Sequence, residues 1–301
     1  MWVPTPDQTL LEFGGGLFGT AVSFAAISRK MCFGMGEGLP GQAWEEGRPV
    51  LLKRFEGSHF RRIGAAQAAG LTSGLAVPVF MREVLKAVLV FYVGEDQAHA
   101  GAIELWHNQP RVTSDMTLVE GYYGSNGQAF EAVSKDTYLP RGTGLPGLTW
   151  QRDAAVFMED IGTAGRFLRT QDAAGVGIKR GLGVPCPTRG EEICVASFLS
   201  APGSPIARRI ESWAPVGADG ALQRVFGFCE SAGALAEGEA LGADGGLVAQ
   251  TLQSGVPGMT EQLAAEAGPV GEAASAGLSS LLAWPVVNDE GQVAEVVALY
   301  F

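Results

Sequence analysis

The chain repeats itself. Gly38-Leu39-Pro40-Gly41, followed by Trp44, returns as Gly144-Leu145-Pro146-Gly147, followed by Trp150, at a spacing of 106. Gly74-Leu75-Ala76-Val77-Pro78 returns as Gly181-Leu182-Gly183-Val184-Pro185 at a spacing of 107, and Phe60 and Phe167 keep that interval. The pattern D-x-T-L-x-E at 7–12 recurs at 115–120. A third copy is more worn. Gly246-Leu247, Gly255 and Pro257 stand 208 after Gly38-Leu39, Gly47 and Pro49; Ala276-Gly277-Leu278 and Pro285 stand 207 after Ala69-Gly70-Leu71 and Pro78. The second and third copies open alike, on IELW (103–106) and IESW (210–213), and Trp2 opens the first. Self-similarity at a fixed interval reports repeated structural units, and an interval of this length gives each unit room for its own core. Three units are therefore expected, at 1–95, 96–204 and 205–301, where a length of 301 residues alone suggests two. The joins, near 94–101 and 201–205, are too short for a connecting helix.

Within a unit, the residue pattern predicts an α+β arrangement, an antiparallel sheet with short helices on one side. Strands are expected at 103–106 and 116–123, rich in apolar and aromatic residues. Pro40 and Pro146 suit the first position of a helix, where a missing N–H costs nothing. That helix should run through Trp44 and stop near Gly47. Strands follow at 49–52 and 154–158. A second helix is expected over about 60–69, ended by Gly70. Two strands then close the unit, at 74–80 and 84–93, and the last unit ends on its own version at 293–301.

The glycine loops, GEGLPG at 36–41 and GTGLPG at 142–147, carry the spelling of a dinucleotide-binding fingerprint. Such a site sets its glycines between a buried parallel strand and a long crossover helix. Here SRKMCF and KDTYLP precede the loops, and Gly47 cuts the first helix short. Glu56 falls about where a ribose-binding acid would, but the second copy has Gly162 there. The context excludes the nucleotide fold.

Composition bounds the remaining classes. A net charge of −11, with basic pairs only at Lys53-Arg54, Arg61-Arg62 and Arg208-Arg209, argues against a nucleic-acid partner. Residues 10–27 carry one charge, Glu12, and approach a membrane span in hydropathy. Their Gly14-Gly15-Gly16 run and the polar twin MTLVEGYYGSNGQAFEAV point instead to a soluble, cytoplasmic protein without a membrane partner. The start, MWVPTPDQ, lacks the basic region of a signal peptide. Cys32, Cys186, Cys194 and Cys229 are scattered, with no CxxC, which reads as reduced thiols rather than a disulfide framework or a metal centre. Three histidines, His59, His99 and His107, give a poor basis for acid–base or metal chemistry.

The order GEGLPGQAWEEGRPV, the Phe60-centred helix, AAGLTSGLAVPVF and EVLKAVLVFY resembles the GAF domain. The second unit supplies GTGLPGLTW, Glu159-Asp160, RFLR and GLGVPCP; the third supplies GGLVAQTLQSGVP, residues 273–278 and GQVAEVVALYF. The resemblance implies three tandem GAF-like units with a PAS-like strand order and helices on both faces, the third degenerate. It implies a pocket between the sheet and the loop-and-helix layer, for a small molecule, or else a dimerisation module with no ligand. The asparagine–lysine–phenylalanine–aspartate–glutamate signature of cyclic-nucleotide members is missing, and so is a cysteine placed for bilin attachment. Cys186 and Cys194, around an expected hairpin, do not match the cysteine spacing of the family's thiol reductases.

Leu39, Trp44, Phe55 and Phe60, with Leu145, Trp150, Asp160, Ile161 and Phe167, are the candidate pocket residues. The apolar ones either line a ligand site or fill the core between helix and sheet. Lys53-Arg54 stand where the second unit has Glu159-Asp160, a charge reversal that changes ligand preference if these side chains face the pocket. Leu252 and Ala249 replace the tryptophan and the sixth glycine of the third loop, which suggests a structural unit. The reading is a non-catalytic bacterial sensory protein with no cofactor and no catalytic or metal-binding residue. It binds an unidentified small molecule, and it signals through a partner protein or by forming a homodimer. A scaffolding protein without a ligand and a thiol-dependent reductase are the alternatives.

Overall fold

A computed structural model describes residues 1–301 except 95–100, 126, 164, 166, 191, 218, 219, 243 and 267. The expected first join at 94–101 and His99 fall in the first of these gaps, outside the described residues. The chain divides into two compact bodies, Met1–Ser204 and Pro205–Phe301.

The first body holds two sheets. Strands β1 (Trp2–Pro4) and β2 (Leu11–Phe13) are followed by helix α1 (Val22–Ser28), β3 (Cys32–Phe33), α2 (Gly38–Glu46), β4 (Val50–Leu52), α3 (Ile63–Ala68), β5 (Leu71–Met81) and β6 (Val84–Gly94). The second sheet is built from β7 (Gly101–Asn108), β8 (Thr117–Tyr122), α4 (Gln128–Lys135), α5 (Gly144–Arg152), β9 (Val156–Met158), α6 (Thr170–Gly175), β10 (Arg180–Cys186) and β11 (Ile193–Ser200). The strands lie in the orders β3-β2-β1-β6-β5-β4 and β8-β7-β11-β10-β9. All neighbours are antiparallel.

The second body contains β12 (Arg209–Val216), β13 (Ala221–Cys229), β14 (Gly233–Ala234), β15 (Ala240–Leu241), α7 (Gly246–Ser254), β16 (Gly258–Thr260), α8 (Gly268–Glu272), β17 (Leu281–Val287) and β18 (Val293–Tyr300). Its order, β14-β13-β12-β18-β17-β16, with β15 also paired to β13, repeats the same plan: the first strand lies between the second and the last, and the penultimate strand and a short edge strand follow the last. The fold is α+β with antiparallel sheets.

The repeated proline shows how sequence writes this topology. Pro78, Pro185 and Pro285 lie in central strands, where a residue without an N–H is normally excluded. Each stands two residues past the last pairing of its strand with the short edge strand, which ends at Ala76, Gly183 and Ala283 respectively. There the strand has one neighbour only, so the missing donor breaks no ladder.

The predicted elements differ from the observed ones mainly where the pattern is weak. The helix after the first loop covers nine residues from Gly38, placing Pro40 within its first turn rather than at its first position; its N–H would be unbonded there too. It ends on Gly47 at φ 63°. The equivalent stop in the second unit is Asp153, left-handed at φ 49°, and in the third Gly255 at φ 66°. The second helix begins at Ile63, three residues after Phe60, because Phe60 turns inward to stack on Phe55. Helices α1 and α4 have no counterpart in the sequence reading. The apolar run at 10–27 resolves into β2, a loop and most of α1. Among the described residues no helix is long and apolar enough to cross a membrane.

One core serves each helix layer. In the first unit Phe24, Leu39, Trp44, Phe55, Phe60 and Ala66 pack with Trp2, Ala76, Phe80 and Val88 of the sheet. The alternate residues of β6 point the other way, and Phe91 meets Phe198 of the second sheet at 5.3 Å.

Candidate functional site

The glycine loops explain themselves by geometry. Gly36 and Gly38 sit at φ 77° and 57°, conformations L side chains rarely adopt. Gly41 has a different need. A Cβ there would lie 2.2 Å from the Gly34 carbonyl oxygen, and one on Gly147 would lie 2.4 Å from that of Pro140. The loop closes through Gly36 N–H donating to the Gly41 carbonyl (2.8 Å), repeated as Gly142 to Gly147 (2.7 Å). Every glycine of the apparent fingerprint is used in folding the loop onto its helix.

The nine candidate residues divide among several environments. Leu39, Trp44, Phe55 and Phe60 share the first core, with Phe55 and Phe60 stacked at 3.8 Å. Leu145, Ile161 and Phe167 share the second. Trp150 is apart from them, half-buried on a small cluster of Trp106, Met116, Leu139 and Val195, with the Arg141 guanidinium 5.6 Å from its ring. Asp160 faces outward, accepting from Gly162 N–H (2.8 Å) and pairing with Lys179 at 3.4 Å. The Gly162 bond and the lysine hold its carboxyl below the ordinary range. Lys53 is engaged by Glu120 and Glu131, each at 2.7 Å, rather than by an open pocket.

What sequence reasoning missed lies at the centre of each core. Arg62 and Arg169 precede α3 and α6 and are almost wholly buried. The Arg169 guanidinium lies 4.9 Å from the rings of Trp106 and Phe130 and 5.1 Å from Phe167, and it grips Glu104 through Nη1 (2.5 Å) and Nη2 (2.9 Å). Glu104 also accepts from Trp106 Nε1 (2.9 Å) and Tyr123 Oη (2.8 Å). Burial pushes the Glu104 carboxyl up, but the Arg169 charge and these donors outweigh it, and its pKa falls below the ordinary value. The third unit reaches the same result differently. Glu211 accepts from Trp213 Nε1 (3.1 Å) and Tyr300 Oη (2.5 Å), and pairs with Arg209 (2.5 Å) and Arg224 (3.0 Å), the latter from the neighbouring strand. The opening tetrapeptides IELW and IESW therefore place a carboxylate and an indole on one strand face, two residues apart.

The first unit holds its cation with hydroxyls and aromatic rings. The Arg62 guanidinium lies 4.6–5.8 Å from the rings of Trp2, Phe24, Phe33, Phe60 and Tyr92. Nη1 donates to Ser28 Oγ and Nη2 to Tyr92 Oη (2.5 Å). Its Nε is buried without an acceptor, and among the described residues no carboxylate pairs with it.

Two other features attract less chemistry. A surface cleft of about 630 Å³ gathers Arg48, Gln109, Arg111, Thr188, Arg189 and Glu192. Several of these are already satisfied: Arg48 by Glu46 (2.7 Å), Gln109 by Glu192 (2.6 Å) and Arg189 by the Phe80 ring (4.4 Å). Cys186 and Cys194 face each other across the β10–β11 hairpin, both buried. Burial pushes the Cys194 thiol up to about 12 and Cys186 higher still, the opposite of a reactive thiolate. Alkylation at pH 8 should therefore modify Cys32 alone in the native protein and all four cysteines in urea, counted by intact mass. Native labelling of Cys186 or Cys194 would contradict the packing. Among the described residues no three His, Cys, Asp or Glu side chains are grouped to hold a metal ion.

A family model described as the GAF domain matches residues 1–107. Its match covers β1 to β6, the first glycine loop and the Arg62 cage, and runs on into β7. The match covers about a third of the chain. No curated protein matches the chain. Solved structures similar to parts of it include free methionine-R-sulfoxide reductase from Neisseria meningitidis in complex with its substrate, at 18% identity, 33% of this chain and a TM-score of 0.25. That alignment spans 51% of the reductase chain, about half its length. Two structures of NreA from Staphylococcus aureus, mutated in the nitrate binding site, align at 18% and 16% identity. Each covers 36% of this chain, with 80% and 78% of the NreA chain and TM-scores of 0.28 and 0.29. The buried Arg62 lies in the core of the matched segment.

Proposed function

We propose that the chain is a non-catalytic regulatory protein of three GAF-like units, at 1–95, 96–204 and 205–301. In this reading the first unit binds a small molecule and the other two serve as structural or partner-binding units. The observation that carries it is the difference between equivalent cores. Arg169 and Arg224 are neutralised from within by Glu104 and Glu211, whereas among the described residues Arg62 is met by the hydroxyls of Ser28 and Tyr92 and by no carboxylate. A buried charge is kept only when something pairs with it, so the first core has a reason to receive a ligand and the others do not. Leu39, Trp44, Phe55 and Phe60 would line that site; Leu145, Ile161 and Phe167 belong to the filled counterpart, and Trp150 and Asp160 lie outside it. Output passes to a signalling partner or through a homodimer in a cytoplasmic bacterial setting.

Thermal-shift screening of the full chain against cyclic nucleotides, small acids and haem tests the reading. A ligand that binds only the folded state at a hundred times its Kd adds about 2.7 kcal/mol, a shift of several degrees. If no compound raises Tm, and native mass spectrometry finds no co-purified molecule, the purely scaffolding alternative takes its place.

A further inference from the structure

We propose that the chain carries a binding site for a small organic phosphate in the cleft where the end of α2 meets the loops that follow β7 and β10, with the Arg189 guanidinium as its anchor. The site is separate from the core of the first unit and does not depend on that core receiving a ligand.

The walls of this cleft are tied together by the chain itself. Arg189 N–H donates to the Gly47 carbonyl (3.1 Å), joining the β10–β11 loop to the end of α2. Gln109 Nε2 donates to Glu192 Oε1 (2.6 Å), joining the same loop to the one after β7. Each of these two loops also holds its own shape. Thr188 Oγ1 donates to the Glu192 carbonyl (2.6 Å), and Asn108 Nδ2 donates to the carbonyls of Thr113 and Asp115 (3.0 Å each). Walls already ordered cost less to fix on binding, so more of the contact energy appears as affinity. A volume of about 630 Å³ suits an organic molecule rather than a bare ion.

The charge pattern gives the chemistry. In a chain of net charge −11, the described residues lining this cleft include three arginines, Arg48, Arg111 and Arg189, and two glutamates, Glu46 and Glu192. Glu46 is engaged by Arg48 (2.7 Å) and Glu192 by Gln109. Arg189 is held in place with its donors uncommitted. Its side chain lies against Gly47, where an added Cβ would come within 2.9–3.0 Å of it, and its guanidinium rests on the Phe80 ring at 4.4 Å. A ring attracts the cation but offers no oxygen, and among the described residues no oxygen accepts from this guanidinium. A phosphate monoester has three terminal oxygens. It can take one guanidinium edge through two parallel hydrogen bonds and still present an oxygen to a second. A carboxylate has only two oxygens and fills one fork. Pro110 and Val112, the latter 77% exposed, give the ester's organic part an apolar stretch of the lining to lie on.

The test is calorimetric titration of the full chain with phenyl phosphate, inorganic phosphate and benzoate, at constant ionic strength set with chloride. Expected is saturable binding of phenyl phosphate, tighter than that of either other anion. Arg189→Gln changes an exposed side chain and should fold. It should weaken phenyl phosphate at least about tenfold, the effect of losing charge-assisted hydrogen bonds. Lys30→Gln removes an exposed positive charge outside the cleft and should leave the affinity unchanged. No saturable binding by the wild-type chain, equal affinity for benzoate or for inorganic phosphate, or equal losses in Arg189→Gln and Lys30→Gln would overturn the proposal. A ligand of the first core found in the wider screen should bind Arg189→Gln and the wild-type chain alike, so the two sites stand or fall separately.

Discussion

Replacing Glu104 by glutamine should cost the second unit about 3–5 kcal/mol, the range for breaking a buried ion pair by removing one partner. The size of the loss comes from what remains. Arg169 is 3% exposed, its charge does not titrate away, and an amide supplies one neutral acceptor where a carboxylate supplied two charged ones. Trp106 and Tyr123 lose the same acceptor. Urea unfolding of the full chain, followed by tryptophan fluorescence, measures the change. Adding Arg169→Met should recover a large part of it, because the double variant no longer buries a lone charge. A Glu104→Gln variant as stable as the wild type would mean that the network is not closed as described.

The pH dependence follows from the same pair. The Glu104 pKa is depressed below its ordinary value of 4.5. Its stabilisation is therefore complete above about pH 4.5 and is lost as pH falls through the lower, folded-state value. Glu104→Gln has no such proton to gain. The two stability curves should lie furthest apart above pH 4.5 and converge in acid.

The second large effect is expected at the loop glycines. Gly41→Ala and Gly147→Ala each drive a methyl group onto a carbonyl oxygen of the backbone, Gly34 at 2.2 Å and Pro140 at 2.4 Å. Neither oxygen is free to retreat: the Gly34 carbonyl accepts from Glu37 N–H (3.0 Å) and that of Pro140 from Thr143 N–H (2.9 Å). Overpacking a flexible side chain costs about 1–3 kcal/mol, and a pinned carbonyl puts these variants at the upper end or beyond. Gly64→Ala is the matched control. That residue is exposed inside α3, with nothing within 4 Å of its added Cβ, and alanine should be neutral or stabilise by up to about 1 kcal/mol. Chemical denaturation of the three variants decides the matter. Equal midpoints for Gly41→Ala and Gly64→Ala would remove the steric account of the loop.

Much of the fold was legible because repetition made weak signals add. One strand-like run at 74–80 says little, but its recurrence with Pro78, Pro185 and Pro285 at a fixed interval marks the same strand in each copy. Helices α1 and α4 escaped because one hides in an apolar, glycine-rich run and the other carries mixed polarity. The arginine cages were harder to see for a physical reason: arginine is ordinarily a surface residue, so Arg61-Arg62 counts in the sequence only as a short basic pair and Arg169 only as part of RFLR. The signal was present in the 107-residue spacing of Arg62 and Arg169 and in the repeated Glu-x-Trp. Neither shows burial without the neighbouring rings. Trp44 and Trp150 give the reverse lesson. They share a repeat position, yet one is 3% exposed in the main core and the other packs half-buried on a side cluster.

The source of the guanidinium in the third unit bears on the order in which the chain acquires structure. Arg169 and Glu104 stand 65 residues apart, so their meeting must wait until most of the second unit has come together. Glu211 and Arg224 lie on adjacent strands, β12 and β13, and can meet as soon as that hairpin closes, a shorter loop with a smaller entropic cost. The charged centre of the third unit is thus available as an early nucleus. The corresponding segment beyond α7, relieved of supplying an arginine, is free to shorten into the α8 turn and the 3₁₀ turns on either side of it.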